Sequence, residues 1–235
     1  RSIRNFAQGD TKMNKYVIAS SKEWFHLKNM NNKLRDRLFF LDKKEDLTIK
    51  NLEKISPRFI FFPHWKWFIE EDIFNNFECV VFHTAPLPYG RGGSPIQNLI
   101  LNGHREAPVC SLMVNGTLDG GPIYIKEFVS LEGSLTQIFE RINLSINQQI
   151  NQIIENEPKP KAQKGEVVTF KRRNNLDNKI PINSKLLDFY DRVRMLDHPE
   201  YPKSYIEHGT LRFEFENCFL EDNELVAKVK IRNAD

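Results

Sequence analysis

Cysteine is scarce in this chain, which has three cysteines among 235 residues. They are Cys79, Cys110 and Cys218, which are widely separated and show no Cys-x-x-Cys spacing. An odd and scattered set argues against a disulfide framework and offers no ligand pattern for zinc. We therefore interpret the cysteines as buried, reduced thiols, and we expect a cytoplasmic protein without a metal.

A long hydrophobic run is also missing. The most apolar segment, RFIFFPHWKWFI at residues 58–69, is short and is interrupted by a proline, a histidine and a lysine. Because a membrane span needs roughly 20 apolar residues, we predict no contact with a membrane. Residues 1–12 have no hydrophobic period and precede Met13, which leads directly into a strand-like run. We expect Met13 to be the natural start and residues 1–12 to be an added or disordered leader.

Neither sign of charge dominates the sequence. The chain has 34 Lys and Arg against 31 Asp and Glu, a formal net charge of +3. This balance argues against nucleic acid as the main partner, whereas an anionic small molecule needs only a few local cations. A hydrophobic content of 40% with eighteen Phe is typical of a globular protein with an aromatic-rich core. The length suits one α/β domain with a small appendage.

Short apolar runs alternate with helical patterns in the first half of the chain. The runs KYVIAS, RLFFLD, PRFIFFP and CVVFH read as strands, while residues 21–34, TIKNLEKIS and SPIQNLILNG have helical character. Runs that are apolar on both faces are typical of parallel strands covered by helices. We predict an α/β fold with a Rossmann-like, doubly wound, mostly parallel sheet, in which ligands bind beyond the carboxyl ends of the strands.

The second half continues this pattern and then changes. APVCSLMVN and GPIYIKEFVSL are predicted as strands on either side of the turn GTLDGG, and apolar residues every three or four positions predict a long helix from Leu135 to about Glu155. NEPKPKAQKG at 156–165 is predicted as a linker. We assign residues 13–165 to the main domain and 166–235 to an extension.

The extension contains a strand leading into a basic loop, a helix at 184–196, and two strands around a turn at residues 221–223. The apolar side chains of this hairpin include Phe213 and Phe215. Two uses would bury them: pairing in a homodimer through the C-terminal part, or capping of the main domain.

Two polar residues stand where a sheet of this kind would bind a ligand. His83 ends the strand CVVFH and opens a loop rich in proline and glycine, and Asp119 lies in the turn LDGG. A lone histidine at such a place is more often packed against a backbone carbonyl, and a lone turn aspartate is usually structural. On neighbouring loops, however, the two side chains could form an orienting pair.

The segment FHTAPLPYGRGGSPIQNLILNGHREAPVCSLMVNGTLDGGPIYIKEFVSL, residues 82–131, resembles the catalytic core of the 10-formyltetrahydrofolate-dependent formyltransferases. That family has a loop of the form His-x-x-x-Leu-Pro-x-x-Arg-Gly, followed by Pro-Ile and later by an Asp-x-Gly turn. The positions that match are His83, Leu87, Pro88, Arg91, Gly92, Pro95, Ile96, Asp119 and Gly121. The resemblance implies that residues 13–165 form a formyltransferase catalytic domain.

The resemblance implies a co-substrate and two catalytic residues. The formyl donor would be 10-formyltetrahydrofolate, with no metal. His83 would take a proton from the incoming amine or, when charged, support the oxyanion, and Asp119 would orient it. The residues implied in folate binding are Phe62, Trp65, Leu87, Pro88, Arg91 and Asp119, although core packing is an equally good reading of Phe62.

One position departs from the family pattern. The family has an asparagine two residues before the histidine, which holds the formyl oxygen, whereas this chain has Val81 there. Asn98 and Asn115 are the candidate substitutes, and a backbone N–H is the third. Loss of an oxyanion donor can cost about 3 kcal/mol, so a replacement is expected in an efficient enzyme.

The C-terminal part indicates the acceptor. Residues 190–215, YDRVRMLDHPEYPKSYIEHGTLRFEF, are similar to the family's sugar-nucleotide branch. The resemblance implies a nucleotide-linked amino-deoxy sugar, such as a UDP-4-amino sugar of surface-glycan or nonulosonic (pseudaminic) acid synthesis. Arg173 and Arg194 are the candidate diphosphate ligands, with Tyr89 as a further substrate-binding residue.

Three other functions stay open. Formylation of methionyl-tRNA would call for a larger, more basic C-terminal domain. Formylation of a carrier-bound aminoacyl group would require a docking surface for the carrier. A folate-binding protein without catalytic activity would tolerate the valine at position 81.

Overall fold

The computed structural model describes residues 13–22, 25 and 32–234. The leader predicted at residues 1–12 and most of the helix predicted at 21–34 lie outside the described residues. Among the residues that are described, no helix is both long and apolar enough to cross a membrane.

The central layer is a six-stranded sheet. The strands of the main domain are β1 (Lys15–Ala19), β2 (Leu38–Leu41), β3 (Pro57–Phe62), β4 (Cys79–Thr84), β5 (Tyr89–Gly92), β6 (Glu106–Met113) and β7 (Ile123–Ser130). The sheet order is β2-β1-β3-β4-β6-β7, and the first four of these strands are parallel. β6 runs antiparallel to both of its neighbours, so it is reversed relative to the rest of the sheet. The prediction of a mostly parallel sheet is confirmed.

Helices cover both faces of this sheet. They are α1 (Ile49–Ile55), α2 (Glu71–Asn76), α3 (Pro95–Leu101), α4 (Leu135–Asn156) and, in the extension, α5 (Leu186–Arg194). Buried side chains of α3 and α4 share one core cluster with the sheet, while Leu52 of α1 and Ile73 of α2 belong to the cluster on the other face. The sheet is therefore wound on both sides, as its two-sided apolar strands predict. The short helix α2 was not predicted.

The long helix α4 forms as its sequence predicts. The Ser134 side chain accepts a hydrogen bond from the Gln137 backbone N–H, and the Gln137 side chain accepts one from the Ser134 backbone. This reciprocal capping box satisfies two N–H groups at the helix start. The apolar positions Leu135, Ile138 and Ile142 are buried on the side that faces the sheet.

The extension adds a second, smaller sheet. β8 (Val168–Phe170) pairs with β5, and β9 (Ser204–His208), β10 (Leu211–Glu221) and β11 (Glu224–Asn233) form an antiparallel sheet in the order β11-β10-β9. The two predicted strands are β10 and β11, whereas β9 was not predicted. Phe215 of β10 packs edge-on against Phe189 of α5, with ring centroids 5.0 Å apart. The hairpin thus packs part of its apolar face on α5.

Candidate active site

His83 lies near the carboxyl end of β4, close to the middle of the sheet. Its neighbour across the antiparallel pairing is Cys110 of β6, and the histidine is 8% exposed. β6 pairs with β4 at His83 itself, and β3 pairs with β4 up to Val81, so the strand is held close to the histidine. A strand-end position of this kind presents a side chain to a ligand from a rigid support.

Both nitrogens of the His83 ring face acceptor oxygens. Nε2 lies 2.7 Å from the Gly90 carbonyl oxygen, to which it donates because a carbonyl can only accept. Nδ1 lies 3.5 Å from Oδ2 of Asp119. The imidazole is thus held between a backbone carbonyl on one side and a carboxylate on the other.

The Asp119 turn holds its carboxylate against the preceding loop. Asp119 adopts a positive φ of 49°, and its Oδ2 accepts a hydrogen bond of 2.9 Å from the Gly92 backbone N–H. A Cβ at Gly121 would lie 1.7 Å from the Met113 carbonyl oxygen, so only glycine fits there. The structure therefore brings His83 and Asp119 together, as the pair hypothesis requires.

The loop between β4 and α3 is anchored from several sides. Leu87 is buried in an apolar cluster with Cys110, Leu112 and Ile123, and Pro88 lies close to Gly165. Arg91 donates from Nε and Nη2 to the side-chain oxygen of Gln163. These contacts fix the shape of the loop.

A cavity of about 600 Å³ opens beside His83 and Thr84. Apolar side chains of α4 form one wall, and residues 172–175 and 200–202 of the extension form another. Among the residues that the structure describes, four cationic side chains line the cavity against one carboxylate; they are Lys22, Lys66, Arg172 and Arg173, and the carboxylate is Glu200, which pairs with Lys22. The cavity thus lies between the main domain and the extension and is suited to an anion.

Arg173 is the most confined of these cations. It is half-buried, its side chain donates to the Asp177 carbonyl oxygen, and its backbone N–H donates to the Ser94 hydroxyl. Burial lowers the pKa of the guanidinium, and the nearby Asp177 opposes that shift. An anion in the cavity would offset the cost of burying this charge.

Aromatic residues after β3 border the same cavity. Burial lowers the pKa of His64 to about 4, so the ring is neutral near pH 7, and its Nε2 lies 2.7 Å from the Asn143 side-chain oxygen. Trp65 lines the cavity, and its indole Nε1 is buried without a hydrogen-bond partner among the described residues. Phe62 lies behind Trp65 with ring centroids 5.8 Å apart and is 2% exposed, which places it in the core.

Two predicted substrate residues lie away from the cavity. Arg194 is 1% exposed, pairs with Asp191 at 2.6 Å, and donates to the carbonyl oxygens of Leu131 and Gly133. Its guanidinium is bonded inside the protein and does not line the cavity. The Tyr89 ring packs edge-on against Phe170, and its hydroxyl accepts from Asn102.

Similarity to known proteins identifies the family of this chain. A solved methionyl-tRNA formyltransferase from Clostridium thermocellum is 34% identical and superposes with a TM-score of 0.87, over 94% of this chain and 100% of that one. The chain belongs to the formyltransferase family. A family model described as the C-terminal domain of methionyl-tRNA formyltransferase matches residues 175–232.

Curated formyltransferases are longer than this chain. The methionyl-tRNA formyltransferase of Campylobacter lari is 29% identical over 195 residues, which is 79% of this chain and 60% of that protein. That of Thermodesulfovibrio yellowstonii is 26% identical over 64% of this chain and 52% of its own length. The chain thus spans between half and three fifths of these relatives.

More distant formyltransferase-like structures share the fold alone. HypX from Aquifex aeolicus in complex with tetrahydrofolic acid is 17% identical, with a TM-score of 0.70 over 88% of this chain and 38% of that one. A sugar N-formyltransferase from Shewanella sp. FDAARGOS_354 is 16% identical, with a TM-score of 0.62 over 92% and 96%. The fold therefore occurs with different acceptors.

The two candidate substitutes for the formyltransferase asparagine have other contacts. The Asn98 amide nitrogen donates to the carbonyl oxygens of Gly93, Ser94 and Lys171. Asn115 lies in its own turn, where its side-chain oxygen accepts from the Thr117 backbone N–H. Neither side chain contacts His83 in this structure.

Three residues of this candidate site do not stand out in the sequence. His64 and Arg172 line the cavity, and Gln163 lies between Arg91 and the Asp119 turn. Of the basic pair at positions 172 and 173, the sequence argument selects Arg173, whereas both arginines line the cavity. Gln163 follows a Pro- and Lys-rich stretch that indicates a linker, and nothing local in the sequence singles it out.

Proposed function

We propose that this chain transfers a formyl group from 10-formyltetrahydrofolate to the primary amine of a nucleotide-linked amino sugar. The observation that carries the proposal is the His83 and Asp119 pair, 3.5 Å apart, beside a cavity lined by cations. Family membership supports the reaction class, and the Aquifex aeolicus protein of this fold holds tetrahydrofolic acid.

The pair suits the charges that develop in formyl transfer. As the acceptor nitrogen bonds to the formyl carbon, the carbonyl oxygen becomes an oxyanion, and the bond from carbon to the folate nitrogen then breaks. The acceptor nitrogen loses one proton and the folate nitrogen gains one, so the transfer is balanced. Neutral His83, held beside the Asp119 carboxylate and the Gly90 carbonyl, would take the proton from the acceptor nitrogen. In the charged form that results, it would support the oxyanion and give a proton to the folate nitrogen.

Features of the cavity fit the folate. The buried Trp65 Nε1 lacks a hydrogen-bond partner among the described residues, so it has a hydrogen bond to donate to an acceptor atom of the folate ring. The cavity volume of about 600 Å³ is in the range of small-molecule sites. Trp65 is therefore the residue we assign to folate binding, while Phe62 supports it from behind.

The cations near the extension favour a phosphorylated acceptor. Arg172 and Arg173 lie next to the glycine-rich loop. The approach is so close that a Cβ at Gly93 would come within 2.6 Å of the Arg172 Cα. Arginine binds a diphosphate through charge-assisted hydrogen bonds. The Shewanella sugar N-formyltransferase, which has the same fold, supports a sugar acceptor.

Methionyl-tRNA is the second candidate acceptor. The methionyl-tRNA formyltransferases of Clostridium thermocellum and Campylobacter lari are more similar to this chain in sequence than the Shewanella sugar enzyme is, and the first is matched over its full solved chain. Against this acceptor, basic residues of the extension are paired with acids; examples are Lys179 with Glu207, Lys230 with Glu216, and Arg232 with Glu214. Paired charges leave little positive potential for a nucleic acid.

One assay separates these acceptors. Purified protein is supplied with 10-formyltetrahydrofolate and, in parallel, UDP-, dTDP- and GDP-4-amino sugars or methionyl-tRNA, and release of tetrahydrofolate is measured. We expect turnover with one of the amino sugars. Turnover with methionyl-tRNA alone would contradict the proposed acceptor, and folate binding without turnover on any acceptor would support a non-catalytic protein.

Variants of the pair test the mechanism. We expect His83→Asn and Asp119→Asn to lower kcat by at least about 100-fold, the usual scale of acid–base catalysis. His208→Asn is the control, because that histidine is exposed on β9, outside the cavity. Unchanged transfer by both pair variants would contradict the assigned roles.

A further inference from the structure

The linker after α4 is part of the structure around the site. Lys161 and Ile123, at the start of β7, exchange two backbone hydrogen bonds of 2.8 Å each. This isolated antiparallel pairing fixes the linker beside the strand that follows the Asp119 turn. Gln163 comes two residues later, so its side chain projects from an anchored backbone.

Gln163 uses its whole hydrogen-bonding capacity inside the protein. Its Oε1 accepts from Nε and Nη2 of Arg91 at 3.2 and 2.8 Å. Its Nε2 donates to the carbonyl oxygens of Asp119 and Gly121 at 2.7 and 2.9 Å. An amide has two acceptor sites and two protons, so all four are used here, and among neutral side chains only asparagine, which is one methylene shorter, has the same capacity.

These four bonds join the two loops that carry the catalytic pair. Arg91 precedes Gly92, whose N–H binds the Asp119 carboxylate, and the Asp119 and Gly121 carbonyls belong to the turn itself. Asp119 has a positive φ, which an aspartate adopts only at a cost unless its surroundings hold it. Gln163 binds the turn at this strained residue and directly after it.

We infer that Gln163 is a positioning residue that holds the Asp119 carboxylate against His83 by clamping the Asp119 turn to the Arg91 loop. The catalytic meaning of this inference rests on the proposed formyl transfer. Gln163 does not line the cavity, so its effect on the reaction passes through Asp119. A displacement of about 1 Å at a catalytic group can cost about 100-fold in rate.

Two substitutions remove either part or all of the four hydrogen bonds of Gln163. Gln163→Glu keeps an acceptor for Arg91 but removes both donors to the turn, and Gln163→Met removes all four bonds at a similar volume. If the turn is what Gln163 holds, both variants should lose kcat by about tenfold or more with little change in the KM for the folate. Gln152→Met, on the exposed side of α4, is the matched control.

Hydrogen exchange of the same chain supplies a readout that does not depend on turnover. The Gly92 amide should exchange at least about tenfold faster in both Gln163 variants, because its acceptor is the Asp119 carboxylate. Wild-type kcat or wild-type Gly92 protection in Gln163→Glu would overturn the inference. If the wild type shows no formyl transfer, the proposed function fails, while Gly92 exchange still decides whether Gln163 holds the turn.

Discussion

His83 and Val81 lie two residues apart on β4, so their side chains share one face of the sheet. His83 finds two acceptor oxygens there. Val81 instead packs against the apolar cluster that contains Leu87, Cys110, Leu112 and Ile123. The same face of one strand therefore changes from apolar to polar over a single two-residue step.

We predict that Val81→Asn destabilises the protein without raising turnover. The amide would be placed against an apolar cluster, where an unsatisfied polar group costs about 1 to 3 kcal/mol. Urea unfolding measures the free energy, and the formyl-transfer assay measures kcat.

Val81→Ala is the control for this substitution, since it removes packing without adding a polar group. A higher kcat in Val81→Asn at unchanged stability would show that position 81 can still carry an oxyanion donor in this chain.

The helix α4 shows how local sequence decides an element. Its apolar period predicted an end near Glu155, and it ends at Asn156. Ser134 and Gln137 form the capping box at its start, and its apolar stripe matches the sheet below. The apolar period of a long helix such as α4 repeats often enough to be recognised in the sequence. The six-residue α2 and the five-residue β9 are too short to show one.

We predict that Ser134→Ala lowers the free energy of unfolding by about 1 kcal/mol, because an N-terminal N–H of α4 loses its acceptor. Thermal or urea unfolding measures the change. Gln137→Ala and the double variant complete a cycle. Since the two residues form one capping box, the stability losses of the two single variants should sum to more than the loss in the double variant. Strict additivity would contradict the reciprocal arrangement.

At the scale of the whole molecule, Arg194 joins the extension to the main domain. It lies at the end of α5, while the carbonyl oxygens of Leu131 and Gly133 belong to the connection between β7 and α4. The resemblance to the sugar-nucleotide branch implied a role for Arg194 in substrate binding. In the structure the guanidinium is buried within this junction.

We predict that Arg194→Met destabilises the junction by about 3 kcal/mol or more, because two buried carbonyls lose their charged donor. Asp191 loses one of its cations and keeps Arg105. Guanidinium unfolding measures the loss, and faster proteolysis between residues 166 and 185 would locate it. Arg192→Met is the matched control: Arg192 makes an ordinary i,i+4 pair with Asp188 and should cost under about 1 kcal/mol. Equal losses in the two variants would contradict this role of Arg194.

The sequence by itself determined the alternation of strands and helices, the long helix α4, and the motif that holds His83 and Asp119. These properties depend on neighbouring residues, on periodicity and on a local pattern of residue types. Tertiary structure alone decided that Asn98 binds the backbone, that Arg194 is buried, and that Gln163 reaches the Asp119 turn from 44 residues away. Those outcomes depend on which segments meet after the chain folds, and residue spacing does not encode that.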